Sequence, residues 1–180
     1  QELNTQMLAI GCLSGIGQPD SALRLIEELR RGSGEEMLQS PGMRFLLAQA
    51  CLNRGDLNGA DSVFTALASS GGNLEREGFS RDSVLALLMD LDYRQGRNKQ
   101  YMDHGFERLR LTGSPETALA VLGRMKNMAE RSGEWSTMVR SVELFGQRFG
   151  SSRQWPRARL IGAGALAASG DRRGALSAIE

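Results

Sequence analysis

The chain has 180 residues, of which 41% are hydrophobic, 24% charged and 6% aromatic. This composition is typical of a folded globular protein and excludes a disordered chain. The net charge is only +1, which gives no overall polyanion-binding character, although 20 of the 22 basic residues are arginine.

Apolar helical patterns follow one another along the whole chain, and each of them is closed by a glycine. Five such glycines lie 38, 41, 37 and 37 residues apart: Gly17, Gly55, Gly96, Gly133 and Gly170. Glycine readily adopts the positive φ that ends a helix. The regular spacing therefore predicts an array of helical repeats.

The repeat unit is clearest around Gly55. Residues 43–54, "MRFLLAQACLNR", and residues 56–67, "DLNGADSVFTAL", both space their apolar residues three and four apart, as amphipathic helices do. Asp56 is placed to cap the second helix by accepting hydrogen bonds from its free N–H groups. The predicted unit is helix, tight turn, helix.

Superposing the five glycines gives a common register. Five residues after them lie Ala22, Ala60, Tyr101, Met138 and Ala175; nine after them lie Ile26, Phe64, Gly105, Val142 and Ile179; seven before them lie Ile10, Ala48, Met89, Lys126 and Ala163. Small residues at the positions seven before and five after each glycine let the two helices of a hairpin approach closely. The larger residue nine after each glycine fills the space between hairpins. Repeats three and four carry larger residues at these positions and are expected to be splayed, with Gly105 costing its helix about 1 kcal/mol.

The unit resembles the tetratricopeptide repeat (TPR), which has a small residue in the first helix, a Gly-Asp turn, an alanine and then an aromatic or aliphatic residue, as in Ala48, Gly55, Asp56, Ala60 and Phe64. The resemblance implies an all-α, right-handed superhelical solenoid of about five antiparallel helix hairpins. The expected repeats cover residues 1–40, 41–79, 80–113, 114–151 and 152–180, the last incomplete.

These repeats are longer than the usual 34 residues because of connectors such as "RGSGEEMLQSPG" and "SSGGNLEREG". Such degenerate, stretched repeats resemble the solenoid regions of large bacterial proteins. The start at Gln1, without a methionine, favours a segment of a longer protein.

In TPR proteins, side chains of the first helix of each hairpin commonly line the concave groove. By register this implies a partner-binding groove formed by Phe45, Gln49, Asn53, Asp90, Tyr93, Arg94, Asn127, Arg131 and Arg157, together with Met7, Ser14 and Glu130. The set is amphipathic and polar, which suits a protein or peptide partner. A carboxylate clamp of the TPR type is not expected, because Gly123 stands where its lysine would. The alternative, that these residues are solvated or pack between repeats, stays open, and Asn53→Ala is expected to leave stability nearly unchanged.

Charge is distributed unevenly. Residues 1–40 carry a net charge of −3, whereas residues 148–173 carry +5. An acidic partner at the arginine-rich C-terminal end is therefore one interpretation, and solvated helix faces are the other.

The sequence predicts neither catalysis nor a cofactor. His104 is the only histidine, so a metal site or a catalytic triad has no second histidine and a surface or capping role is expected. Asp90 and Asp92 face different sides of their helix, which argues against paired-carboxylate chemistry. Cys12 and Cys51 lie in apolar stretches and are expected to be buried.

Nucleic-acid binding is not predicted either, since the chain lacks the repeated polar selectors and the basic groove that such helical repeats need. No run of 18 apolar residues is present, so no segment is expected to insert into a membrane.

Two functional hypotheses remain. The first is a non-catalytic protein-interaction scaffold within a larger bacterial TPR protein, for instance in envelope or exopolysaccharide export, which would be periplasmic. The second is the sensor arm of a signal-responsive transcription regulator that binds a small ligand or partner at repeats three and four, which would be cytoplasmic.

Overall fold

The structure, a computed structural model, describes residues 2–33, 39–70, 74 and 79–179. Within these residues the chain forms ten α-helices and no strand, which confirms the predicted all-α fold. The helices are α1 (Glu2–Gly15), α2 (Pro19–Ser33), α3 (Pro41–Arg54), α4 (Leu57–Ser69), α5 (Arg81–Gln95), α6 (Asn98–Leu111), α7 (Pro115–Ser132), α8 (Trp135–Phe149), α9 (Trp155–Ala168) and α10 (Arg172–Ser177). Most of the two long connectors falls outside the described residues.

The helices form two compact units, Gln1–Leu91 (unit 1) and Asp92–Glu180 (unit 2). The core of unit 1 contains one cluster around Ile10, Ile26 and Met43 and another around Phe64 and Leu88. The core of unit 2 is built from buried side chains of α6 to α9: Met102, Leu109, Leu122, Met125, Met138, Phe145 and Ala158.

The turns between paired helices confirm the prediction made from the glycine spacing. All five glycines have positive φ, from 69° to 95°, and they are the only residues of the described chain with positive φ. At Gly17, Gly55, Gly96 and Gly170 the next residue donates its backbone N–H to the carbonyl five positions back, which is the Schellman arrangement. Gly133 instead donates one bond, to the carbonyl of Ala129 at 2.8 Å.

The "GDxxGA" pattern at residues 55–60 and 170–175 is explained by the helix cap. The carboxylate of Asp56 accepts from the backbone N–H of Gly59 at 2.9 Å, as predicted for a capping residue. A Cβ on Gly59 would lie 2.4 Å from that carboxylate, so a larger residue would displace the capping side chain. Ala60 follows and is fully buried, and the same geometry recurs at Asp171 and Gly174.

In repeat four the position seven before the turn glycine is not part of the core. Lys126 lies on the surface and pairs with Glu130, whereas its neighbour Met125 is fully buried. The difference accompanies the different hydrogen bonding at Gly133.

Gly105 is explained by close packing. A Cβ at this position would lie 2.8 Å from both Cγ and Sδ of Met125 on the next helix. The absence of a side chain on α6 therefore makes room for a buried methionine on α7.

Candidate functional site

In unit 1 the first helices of successive hairpins, α1 and α3, form one surface. An apolar cavity of about 660 Å³ lies on it. Its lining consists of Asn4, Met7, Leu8, Gly11 and Cys12 from α1, Phe45 and Leu46 from α3, and Phe79 from the segment before α5. We call this cavity the apolar groove.

The α1 wall of the groove follows from helical periodicity. Its lining residues recur three and four positions apart, so they form one stripe along the helix. Leu8 is 69% exposed, which leaves a large apolar side chain open to a partner. Gly11 has no side chain, and a Cβ there would be 3.6 Å from Leu46 Cδ2, so α1 and α3 approach closely at the floor of the groove.

The opposite wall of the groove is aromatic. The rings of Phe45 and Phe79 lie 4.9 Å apart between centroids, and Phe45 also contacts buried Phe64 edge to face at 5.8 Å. This packing holds the partly exposed ring of Phe45 in place, as a preformed binding surface requires.

The prediction that both cysteines are buried is wrong for Cys12. Its side chain is exposed in the groove, whereas Cys51 is buried. Burial, with the charge of Asp56 as a smaller cause, raises the pKa of the Cys51 thiol. Cys12 was missed because an apolar neighbourhood in the sequence does not reveal which side of the helix faces the core.

The predicted groove residues of unit 1 have different roles in the structure. Phe45 lines the apolar groove, and Gln49 and Asp90 are exposed. Asn53 donates from Nδ2 to the backbone carbonyl of Ser14 at 3.1 Å, and Ser14 itself is buried. Asn53 thus links α3 to the end of α1, which is the inter-repeat role left open above.

This hydrogen bond changes the expected effect of Asn53→Ala. Because the substitution leaves the carbonyl of Ser14 with only the longer bond from the backbone N–H of Gly17, at 3.4 Å, we expect it to lower the free energy of unfolding by about 0.5–1.5 kcal/mol. Urea denaturation followed by circular dichroism measures the change, and Gln49→Ala on the same helix is the control. An Asn53→Ala midpoint equal to that of the control would show that the bond contributes nothing.

In unit 2 the corresponding surface is formed by the end of α5 and by α7 and α9. Tyr93 is 54% exposed, and the guanidinium of Arg131 lies 5.1 Å from the centroid of its ring. The ring of buried Tyr101 lies 6.5 Å away. The structure thus brings two of the predicted residues together, and Arg94, Asn127 and Arg157 are exposed.

His104 is a partly exposed residue that contacts a buried carboxylate. Its Nδ1 lies 2.7 Å from Oδ2 of Asp92, which is fully buried, and Arg97 Nη2 lies 2.7 Å from Oδ1 of the same carboxylate. The carboxylate therefore joins the end of α5 to α6. Sequence reasoning considered only the lack of a second histidine and missed the carboxylate partner 12 residues away.

Several arginines of the basic C-terminal region make contacts within unit 2. Arg159 Nε donates to the carbonyl of Ala178 at 3.0 Å, and Arg148 donates to the carbonyl of Leu109. Arg153 lies 3.7 Å from Glu116. Arg159 and Arg148 therefore contribute to the packing of unit 2, whereas Arg153 forms only a surface ion pair and Arg157 is exposed.

Two other kinds of site are absent from the described residues. No group of three or more His, Cys, Asp and Glu side chains there could hold a metal ion. Likewise, none of the helices in the described ranges is long and apolar enough to cross a bilayer.

Comparison with known proteins identifies the fold. No protein-family model and no curated protein matches the chain. A kinesin light chain-like protein of Podosopora anserina with nearly identical TPR-like repeats is 17% identical, with 99% of this chain and 92% of that chain covered and a TM-score of 0.55. The MamA protein is 13% identical, with 98% of this chain and 87% of that chain covered and a TM-score of 0.57. YrrB, described as a TPR protein with an unusual peptide-binding site, is 11% identical, with 96% of this chain and 80% of that chain covered and a TM-score of 0.55. The chain has the TPR-like helical fold that these structures share.

Proposed function

We propose that this chain is a non-catalytic protein-interaction scaffold that binds a peptide segment of a partner protein in the apolar groove of unit 1. The observation that carries the proposal is an open cavity of about 660 Å³ whose walls are largely apolar and include a leucine that is 69% exposed. Open apolar surface of this kind marks a site where another molecule binds.

The shape of the groove selects the class of peptide. One wall is a helical stripe of small and medium-sized side chains, and the other is the pair of rings of Phe45 and Phe79. A peptide with apolar side chains on one face fills such a groove, either as an amphipathic helix or as an extended segment. The neighbour YrrB, with its peptide-binding site, supports this use of the fold.

Unit 2 offers a second, different surface for the same partner. Tyr93 and Arg131 combine an aromatic ring with a cation, and exposed Arg94 and Arg157 add positive charge. Unit 2 contains 15 basic and nine acidic residues, so an acidic segment suits this surface. The stretched, degenerate repeats point to a large bacterial scaffold, such as one in envelope or exopolysaccharide export, as the setting in which to seek the partner.

The test begins with selection of a displayed random-peptide library on the immobilised chain. We expect the enriched peptides to share apolar residues spaced three and four apart or alternating. Binding of the selected peptides is then measured by fluorescence anisotropy, and Leu8→Asp is expected to weaken it at least tenfold. Ile16→Asp is the matched control, because Ile16 is equally exposed at 68% but does not line the groove.

Cys12 provides an independent readout. A bound peptide should slow alkylation of Cys12 by N-ethylmaleimide, while buried Cys51, with its raised pKa, reacts only on unfolding. Peptides that bind Leu8→Asp as tightly as the wild type, or that leave Cys12 fully reactive, would refute the proposal.

A further inference from the structure

A cavity separate from the apolar groove lies within unit 2, between α8, α9 and the end of α10. Its volume is about 240 Å³, and we call it the unit 2 pocket. Its lining consists of Val139, Val142 and Glu143 from α8, Trp155, Arg159, Gly162 and Leu166 from α9, and Ser177 and Ala178. A water molecule in the liquid occupies about 30 Å³, so the pocket has the size for a small metabolite and not for a peptide segment.

The pocket is explained by a small residue at a register position that is large in the preceding hairpin. Gly162 lies eight residues before Gly170, and Met125 lies eight residues before Gly133. The side chain of Met125 is fully buried and fills the corresponding space against α6. At Gly162 that side chain is missing, and a Cβ there would lie 2.8 Å from Val142 Cγ1. The pocket therefore lies beside a point where α8 and α9 touch.

One wall of the pocket is an aromatic ring held by its neighbours. The ring of Trp155 stacks with that of buried Phe145, with 6.3 Å between centroids and 12° between planes. A Cβ on Gly146 would lie 2.7 Å from Trp155 Cη2, so the ring also lies against the backbone of α8. Together with Val142 and Leu166, the ring forms a preformed apolar surface for the body of a ligand.

Two opposite charges line the pocket without pairing with each other. Glu143 and Arg159 both contribute to its wall, and neither forms an ion pair within the part of the chain that the structure describes. Arg159 donates from Nε to the carbonyl of Ala178 at 3.0 Å, which positions the guanidinium and leaves its two Nη groups for a ligand. Glu143 follows Val142 directly, and Arg159 precedes Gly162 by one helical turn. Both charges therefore lie near the point where α8 and α9 touch, and they offer partners for a cation and an anion of one ligand.

We propose that the unit 2 pocket binds a free α-amino acid with an apolar side chain. The α-ammonium group donates to the carboxylate of Glu143, the α-carboxylate accepts from the guanidinium of Arg159, and the side chain packs against Trp155. An α-amino acid carries both charges on one carbon atom, as two charged partners near one point of the pocket require. The pocket shares no residue with the apolar groove, so this binding is an addition to the proposed peptide binding and does not depend on it.

Isothermal titration calorimetry of the wild-type chain with L-leucine, L-isoleucine, L-valine, L-methionine and L-phenylalanine at pH 7 is the first test. At least one of these amino acids is expected to bind with a Kd of about 1 mM or lower. Three analogues of the best ligand should each bind at least tenfold more weakly. They are its amide, which lacks the carboxylate, its deaminated acid, which lacks the ammonium group, and glycine, which lacks the apolar side chain.

Two substitutions test the roles of the charges. Glu143→Gln and Arg159→Gln should each weaken binding of the amino acid at least tenfold. Arg157→Gln is the matched control, because Arg157 is exposed on the same helix but does not line the pocket. Glu143→Gln gives the decisive result, since the exposed Glu143 side chain can change without disturbing the fold, and circular dichroism checks that the variants are folded.

The deaminated acid has no group for Glu143, so it should bind Glu143→Gln at least as tightly as it binds the wild type. Leu8→Asp, in the apolar groove, should leave amino-acid binding unchanged, which separates this test from that of peptide binding. A wild-type chain that binds none of the five amino acids with a Kd of about 1 mM or lower, or a Glu143→Gln variant that binds as tightly as the wild type, would overturn the proposal.

Discussion

Phe64→Ala is expected to lower the free energy of unfolding by about 3–5 kcal/mol. The ring is fully buried, contacts Phe45 edge to face and belongs to the core cluster that includes Leu88. Removing it leaves a cavity in the core cluster between α4 and α5. In a repeat protein, much of the stability resides in such contacts between neighbouring repeats, so the loss is large.

Urea denaturation followed by circular dichroism measures this effect. Leu8→Ala is a suitable control, because Leu8 also belongs to unit 1 but is mostly exposed. It should change the free energy of unfolding by no more than about 0.5 kcal/mol. If the two variants unfold at the same urea concentration, Phe64 does not have the packing role assigned to it.

The sequence predicted the turns of this fold because their determinants are local. A glycine that must adopt positive φ, an aspartate that caps the next helix and a glycine that accommodates the carboxylate all lie within six residues, as in residues 55–60. Their spacing along the chain then predicted the paired helices. Phe64 was likewise correctly assigned to the space between hairpins.

The groove could not be predicted in the same way, because it depends on contacts between distant segments. Register alone indicated a polar set on the first helices, whereas the cavity in unit 1 is walled by Leu8, Phe45 and Phe79. Phe79 belongs to no helix of the described chain, so no helical register could place it. Asn53 looked like a partner-binding residue because its hydrogen-bond acceptor lies 39 residues away.

A second large effect is expected at Gly105, where propensity and packing act in opposite directions. Glycine costs a helix up to about 1 kcal/mol relative to residues such as leucine, so propensity alone predicts that Gly105→Leu stabilises α6. A side chain there would meet buried Met125, and overpacking costs about 1–3 kcal/mol or more. We expect packing to dominate and the substitution to destabilise unit 2 by about 1–2 kcal/mol.

Gly123→Leu on α7 is the matched control, because a Cβ at Gly123 has no neighbouring atom within 4 Å. Gly123→Leu should therefore gain most of the stability that leucine's higher helix propensity offers, and the two variants should shift the urea midpoint in opposite directions.

The clash at Gly105→Leu should also be relieved when Met125 is shortened. The loss caused by Gly105→Leu should therefore be smaller by about 1 kcal/mol or more in a Met125→Ala background than in the wild type. Additive effects of Gly105→Leu and Met125→Ala would show that the two positions do not contact each other.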